Sequence, residues 1–428
     1  MIEPPEPPPC HPRDPIGWTV VIALVFLAMC LWRLTIPSKP FFDEVHYLPA
    51  ARAVLALSHP ANPEHPPLAK ELIALGIAVF GDRPLGWRLP SVLFGTLGLF
   101  AAMRALWFAS LSRFATVALG ILLATAFPLF VQARIAMLDV FMCAFALAAL
   151  WMCAGAVREN ETARWRLAVA GVALGCAMAC KWNAVPLAVL PGLAFLAVRA
   201  KSAGRHFATM RRGAPVAGMT LIEAALWLGM VPLLVYALTY WPNLLYARDA
   251  IGPADLIDLQ YRMLHLQEEV VQPHTYQSVW YEWAGNWRAI WYLYEVVDGA
   301  RRGVMLIGNP LTMLLGLPAL IWCAWAGVFR SRRDALAVAV LYAVSLGVWV
   351  VAAKPVQFYY HYLLSSCFLM AALALALDAL WKRGRRWPPL LVLAGSVALF
   401  AFFWPILTAA PLEGQHPFTR WTWIDSWR

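Results

Sequence analysis

The sequence predicts an all-α, polytopic integral membrane protein with about eleven spanning helices. Three observations predict it. Hydrophobic residues make up 61% of the 428 positions and charged residues only 14%, against about 45–50% and 25% in a soluble domain. The apolar residues fall in runs close to the ~20 needed to cross a ~30 Å hydrocarbon core. The 22 tryptophans are far above ordinary usage, and Trp gathers at membrane–water boundaries, where an amphipathic ring suits both sides. A soluble enzyme, a disordered chain, a coiled coil and a disulfide scaffold are excluded on these grounds.

The elements follow in order. Residues 1–15 form a Pro-rich, weakly acidic leader without a basic n-region or a small-residue cleavage site. It reads as a cytoplasmic leader, and 16–32 as a retained anchor rather than a cleaved signal. Further spans are expected at 88–108, 114–131, 135–157, 165–179, 182–198, 216–240, 303–329, 335–353, 356–377 and 388–410. The two around Lys181 are short. Loops carrying Arg104 and Arg113, Arg158 to Arg166, Arg199 to Arg212, Arg330 to Arg333 and Lys382 to Arg386 alternate along the chain, and the positive-inside rule assigns them to the cytoplasm. The opposite loops hold most of the Asp and Glu. A membrane region over 16–240 is then expected to carry the chemistry, with a first outer loop at 36–87 and a second at 241–302. A C-terminal membrane region over 303–410 and an outer tail over 411–428 complete the chain. Within the first outer loop, Leu68–Phe80 is an apolar stretch of 13 residues. At 1.5 Å per residue it reaches about 20 Å, too short to cross, and is expected to lie at the interface.

The net charge of +10 is spread over short loops rather than one basic face, so it points to membrane lipids and not to nucleic acid. Seven of the eight cysteines sit in or beside apolar runs and none forms a CxxC pair, so neither a disulfide framework nor a zinc site is expected.

Candidate chemistry lies in the outer loops. Phe41-Phe42-Asp43-Glu44-Val45-His46-Tyr47 puts two adjacent carboxylates just after the first span. Successive positions cannot share a helix face, so the two are expected to do different jobs. A carboxylate at the edge of low dielectric gains basicity and can serve as a general base. The plain alternative is an acidic helix start that complements the dipole. His65-Pro66-Pro67-Leu68-Ala69-Lys70 launches the interfacial helix, with His65 and Lys70 near the membrane surface; Lys70 is otherwise a snorkelling lysine. Arg134 and Asp139 lie at an outer turn, where ionisable groups at membrane depth are costly and usually functional. A guanidinium also suits bidentate phosphate binding, and the alternative is an Arg–Asp pair that fastens the turn. Lys181 is a similar feature. The stretch from His274 through Trp280 to Glu295 is rich in aromatics, and Lys354, Tyr360 and His361 form a last outer cluster. Aromatics with nearby polar groups make sugar platforms, or an interfacial belt and nothing more.

The chain has no P-loop, GxGxxG, HExxH or DxD. An enzyme using a metal-bound nucleotide sugar would show an acidic cytoplasmic cluster, whereas here the cytoplasmic loops are short and basic. A donor for an outward site is expected to be lipid-linked. No cofactor is firmly implied, and no residue pattern supports a divalent metal.

Phe42-Asp43-Glu44, the His65 to Lys70 run and Arg134-Ile135-Ala136-Met137-Leu138-Asp139 resemble the protein O-mannosyltransferases, GT-C membrane enzymes that use polyprenyl-phosphate mannose. His274-Thr275-Tyr276, Trp280, Trp283, Trp291-Tyr292-Leu293-Tyr294-Glu295 and Gly308-Asn309-Pro310 are similar to that family's C-terminal membrane region, in family order. The resemblance implies an inverting transfer onto Ser or Thr of secreted proteins, with Asp43 as base, Glu44 supporting the site and Arg134 beside it. Arg134, Lys70, Lys354 and His361 are expected to stabilise the departing lipid phosphate, Lys354 and His361 on charge and placement alone rather than on a family motif, with His65, Asp139, Lys181, His274, Trp280 and Tyr360 as further donor-phosphate or substrate-binding residues. Eukaryotic members carry a soluble module where this chain has a loop of about 60 residues, so the chain looks bacterial, in an inner membrane with the site facing out. Aminoarabinose transferases of the same fold resemble it at the first loop but have more spans and a C-terminal soluble domain. A transferase with a lipid or glycan acceptor is therefore a second reading, and a lipid transporter a third. A transporter would place charges near the midplane; here only Glu223 is expected well inside a span.

Overall fold

The computed structural model describes residues 13–428 apart from 211, 212, 270 and 353. Most of the leader over 1–15, with Cys10, lies outside the described residues. The chain is a multi-pass helical membrane protein. Its helices are α1 Ile16–Leu31, α2 Glu44–Leu55, α3 Leu68–Phe80, α4 Pro84–Ser110, α5 Arg113–Ala124, α6 Phe127–Gln132, α7 Leu138–Arg158, α8 Ala163–Cys180 and α9 Val185–Ala203. There follow α10 Leu221–Ala225, α11 Val231–Leu238, α12 Leu256–Glu268, α13 Trp280–Ala284, α14 Pro310–Phe329, α15 Arg333–Val351, α16 Leu363–Lys382 and α17 Trp387–Leu407. Among the described residues nine helices are long and apolar enough to cross a membrane, while α1 and α5 are apolar but shorter.

Sequence chemistry explains the boundaries. Pro84 opens α4 at a position where its missing N–H costs nothing. Ser112 caps α5, its hydroxyl accepting from the Ala115 amide at 3.3 Å. The run expected as one span over 114–131 is broken between α5 and α6, where Pro128 enters the next helix. Lys181 is extended (φ −163°, ψ 136°) and separates α8 from α9, the division expected there. A π turn over Leu226–Met230 joins α10 to α11, next to Pro232, which lacks the N–H of an ordinary helical bond. Glu223 is not deep in a span, as expected, but in the first turn of α10, paired with Arg164 at 2.6 Å.

The main departure lies between α13 and α14. Residues Ile290–Val297 (β1) and Ala300–Leu306 (β2) form an antiparallel hairpin. Asp298 and Gly299 make its two-residue turn with φ of 49° and 72°, the left-handed pair that twists with the flanking strands. The span expected from 303 therefore begins at Pro310, after the strand ends.

α7 packs between α4 and α8, α14, α15 and α16 form a second group, and α5 lies against α4 and α16. Close approach needs small residues: a Cβ on Gly171 or Gly175 of α8 would strike the carbonyls of Trp227 and Pro232. The C-terminal ends of α1, α8 and α15 and the N-terminal ends of α4, α7 and α16 share one end of the bundle, with α2, α3 and the hairpin. Residues 411–428 fold back over that end: Trp427 donates to the Asn286 carbonyl at 3.0 Å and Leu412 to Arg301 at 2.8 Å. The opposite end carries the arginine-rich turns, including the Arg104–Asp14 pair at 2.5 Å.

Candidate active site

Phe42 and Asp43 bridge α1 and α2. Phe42 has φ of 50°, strained for a non-glycine residue. Its ring lies flat on Tyr292 (3.9 Å between centroids, 14°) and edge-on to Tyr360 at 5.9 Å. The two carboxylates that follow point apart. Glu44 is fully buried against Arg88, accepting from Nε and Nη2 at 2.8 Å each. Its oxygens also accept from the amides of Ala136 at 3.1 Å and Phe41 at 3.2 Å. Arg88 directs its remaining donors at the carbonyls of Leu34, Pro37 and Lys39. Glu44 thus has no free oxygen for a substrate and fastens the loop that carries Asp43.

Asp43 is partly buried and faces the other way. The Tyr47 hydroxyl donates to it at 3.4 Å. Burial pushes its carboxyl up to about 6; Lys181, His46 and Lys354 oppose the rise and Asp139 adds to it. Asp139, in the first turn of α7, receives Lys181 Nζ at 2.9 and 2.7 Å, and both residues are buried. Lys181 Nζ also lies 5.0 Å over the Tyr360 ring. Lys354, just beyond α15, makes no side-chain hydrogen bond among the described residues. Burial, then Lys181, pushes its amine down to about 8. Among the described residues it is a cation at the site with no anion bonded to it.

His65 packs edge-on to Tyr47 at 6.2 Å, with Nδ1 3.3 Å from Gln267 Nε2. Burial and the lysines hold it well below its ordinary range, so its imidazole is neutral. His361 sits behind Tyr360, between that ring at 4.4 Å and Trp349 at 3.9 Å. Its Nδ1 accepts from the Phe358 amide at 3.1 Å, and its Nε2 is buried without a partner among the described residues.

Four expected residues sit elsewhere. Arg134 directs Nη1 at the carbonyls of Met29, Cys30 and Trp32, capping α1, and stacks on Phe130 at 5.3 Å. Carbonyls left open at a helix C-terminus attract a cation, and Arg134 is not among the charges that act on Asp43. Lys70 donates to the carbonyls of Asn62 and His65 at 2.8 Å each, stapling the 61–65 loop behind His65, and is not among the charges that act on Asp43. His274 is exposed, edge-on to Phe358 at 5.1 Å, on the rim. Trp280 is 37% exposed and packs on Tyr281. The structure therefore brings Asp43, Asp139, Lys181, Lys354, Tyr360 and His65 together, with His361 behind them. Sequence reasoning missed Arg88, Tyr47 and Tyr292. An arginine opening an apolar span was the available signal for the first. Among the described residues no three His, Cys, Asp or Glu side chains converge on a metal position.

A desolvated carboxylate with a cation among the charges that act on it, that cation having no bonded anion among the described residues, can remove a proton and stabilise a negative charge. Residues 64–240 match the family model of dolichyl-phosphate-mannose-protein mannosyltransferase, and 253–427 that of the C-terminal four TMM region of protein-O-mannosyltransferase. The chain is 30% identical to the polyprenol-phosphate-mannose–protein mannosyltransferase of Mycolicibacterium smegmatis, covering 99% of this chain and 95% of that one. With the protein of the same name from Mycobacterium tuberculosis it shares 29%, over 96% and 92%. In fold it is similar to the Saccharomyces cerevisiae protein O-mannosyltransferase Pmt1-Pmt2 complex bound to the sugar donor (TM-score 0.82, 14% identity, 96% and 92% covered). ArnT from Cupriavidus metallidurans is a more distant match (TM-score 0.54, 17% identity, 85% and 60% covered). By its similarity to the mycobacterial enzymes over nearly its whole length, the chain belongs to the polyprenol-phosphate-mannose–protein mannosyltransferase family.

Proposed function

We propose that this chain transfers mannose from a polyprenyl-phosphate donor to Ser or Thr hydroxyls of secreted proteins, with inversion at the anomeric carbon. The observation that carries the reading is the opposed orientation of Asp43 and Glu44: one carboxylate is consumed by Arg88, while the other faces Lys181–Asp139 and Lys354. Asp43 takes the proton of the incoming hydroxyl. The freed oxygen forms the bond to C1 as the bond from C1 to the phosphate oxygen breaks, and that electron pair leaves with the lipid phosphate. Lys354 stands where this negative charge develops, the place where a preorganised cation is most effective. Lys181, held by Asp139, adds a second positive centre, and the rings of Phe42 and Tyr360 pack edge-on next to it. Neutral His65 offers a hydrogen bond without competing for the proton.

The arginine-rich turns at the far end belong to the cytoplasm by the positive-inside rule, which puts the N-terminus inside and Asp43 on the outer face of a bacterial inner membrane. Protein acceptors fit the relatives' names better than a lipid or glycan, and the ionisable cluster at one end favours an enzyme over a transporter. The test is to supply membranes containing the protein with labelled polyprenyl-phosphate mannose and an acceptor peptide, followed by mass analysis. Hexose on Ser or Thr is expected. Label found only in the lipid fraction would exclude a protein acceptor.

A further inference from the structure

The hairpin ladder slips once. Trp291 pairs with Met305 and Leu293 with Val304, leaving Tyr292 as the extra residue of a β-bulge. Bulges re-aim a side chain and recur beside active sites. Tyr292 is only 4% exposed, its ring lies flat on Phe42, and Phe42 leads directly into Asp43. The Tyr292 hydroxyl is buried and has no hydrogen-bond partner among the described residues. Its electrostatic neighbours are Asp43, Asp139 and Tyr360, and burial together with them holds the phenol well above its ordinary range, so it stays neutral and able to donate. A buried hydroxyl left unpaired costs on the order of 1–3 kcal/mol. The bulge thus leaves a buried donor without a partner beside the charges of Asp43 and Asp139.

We propose that Tyr292 is a substrate-contacting residue of the transferase, its hydroxyl donating a hydrogen bond to an oxygen of the donor's sugar–phosphate linkage. This rests on the reading under Proposed function. The acceptor hydroxyl gives its own proton to Asp43, so the strongest remaining acceptors in the cavity are the phosphate oxygens. Charge grows on them as the C1–O bond breaks, so the contact strengthens toward the transition state and acts on kcat more than on donor affinity.

Tyr292→Phe deletes only the oxygen and keeps the stack on Phe42, whereas Tyr292→Leu deletes both. With full-length protein in liposomes, polyprenyl-phosphate mannose and an acceptor peptide, Tyr292→Phe is expected to lower kcat about tenfold to a hundredfold. Acceptor KM should hold, and the thermal midpoint should hold or rise, because the variant removes a buried unpaired hydroxyl. A Tyr292→Phe protein that turns over like wild type, or whose lost rate tracks a lowered midpoint, overturns the inference. So does an active Tyr292→Phe beside an inactive Tyr292→Leu, which would leave the ring as a prop for Phe42 alone. If wild type transfers no mannose in this assay, the functional reading fails instead.

Discussion

Replacing Asp43 with asparagine removes the charge of the proposed base while preserving its shape and its capacity to accept from Tyr47. The structure sets two magnitudes. A positioned general base contributes roughly 10²- to 10⁴-fold, so transfer should fall by at least two orders of magnitude. Stability should move the opposite way. A carboxyl held at about 6 instead of 3.8 means that the ionised fold carries a penalty of about 3 kcal/mol. The sign follows from proton binding. Between these two pH values the folded state holds a proton that the unfolded state has lost, so stability declines as pH rises through this window and stays lowered above it. A neutral asparagine at this position carries no such penalty. The Asp43→Asn protein should therefore melt higher than wild type at pH 7.5, with the gap closing toward pH 4. The measurements are mannosyl transfer in liposomes and thermal unfolding in detergent at both pH values. Normal turnover would refute the assignment of the base. A lower melting point at pH 7.5 would refute the picture of Asp43 as a carboxylate desolvated for reactivity, because its charge would then be stabilising the fold.

The pH–rate profile should be bell-shaped. Activity rises through about 6 as Asp43 loses its proton and falls through about 8 as Lys354 loses its own; a single-limbed profile over this range would contradict the pairing of roles. Lys354→Ala should lower kcat by roughly a hundredfold and abolish the alkaline limb while leaving the acid limb, read from the same profile. Arg88→Met leaves Glu44 buried without its counter-ion and should destabilise the fold by about 3–5 kcal/mol, seen as a lower yield of folded protein; a stable, active Arg88→Met would show that the pair is dispensable.

Much of the membrane architecture is legible because apolar run length is a direct physical requirement of crossing a bilayer. α3 is legible for the converse reason, its apolar stretch stopping at 13 residues. The hairpin carries its own signal in Asp298-Gly299 after the β-branched and aromatic run Ile290–Val297. That signal is hidden because Val304, Met305 and Leu306 are as apolar as the span they precede. Which of Asp43 and Glu44 turns inward is not legible at all. The choice is made by Arg88, 44 residues downstream of Glu44, and no local pattern encodes that meeting.

The division among the cations has one physical cause. A charged side chain near the membrane must find partners, and the open carbonyls of helix ends and tight loops are the nearest supply. Arg134 takes those of α1, Arg88 those of residues 34, 37 and 39, and Lys70 those of 62 and 65. Each thereby fastens a helix end or a loop. Lys181 escapes this only by pairing with Asp139. Among the described residues Lys354 finds neither carbonyl nor carboxylate within bonding distance, and it keeps its charge where burial makes that charge costly, which is why its amine is depressed. An anion binding beside Lys354 would relieve that cost, and would in turn raise the affinity of Lys354 for its proton. Donor binding should therefore shift the alkaline limb of the profile upward, so that the limb in kcat lies above that in kcat/KM. Sequence alone cannot make this division, since it records the charges and not the carbonyls that claim them.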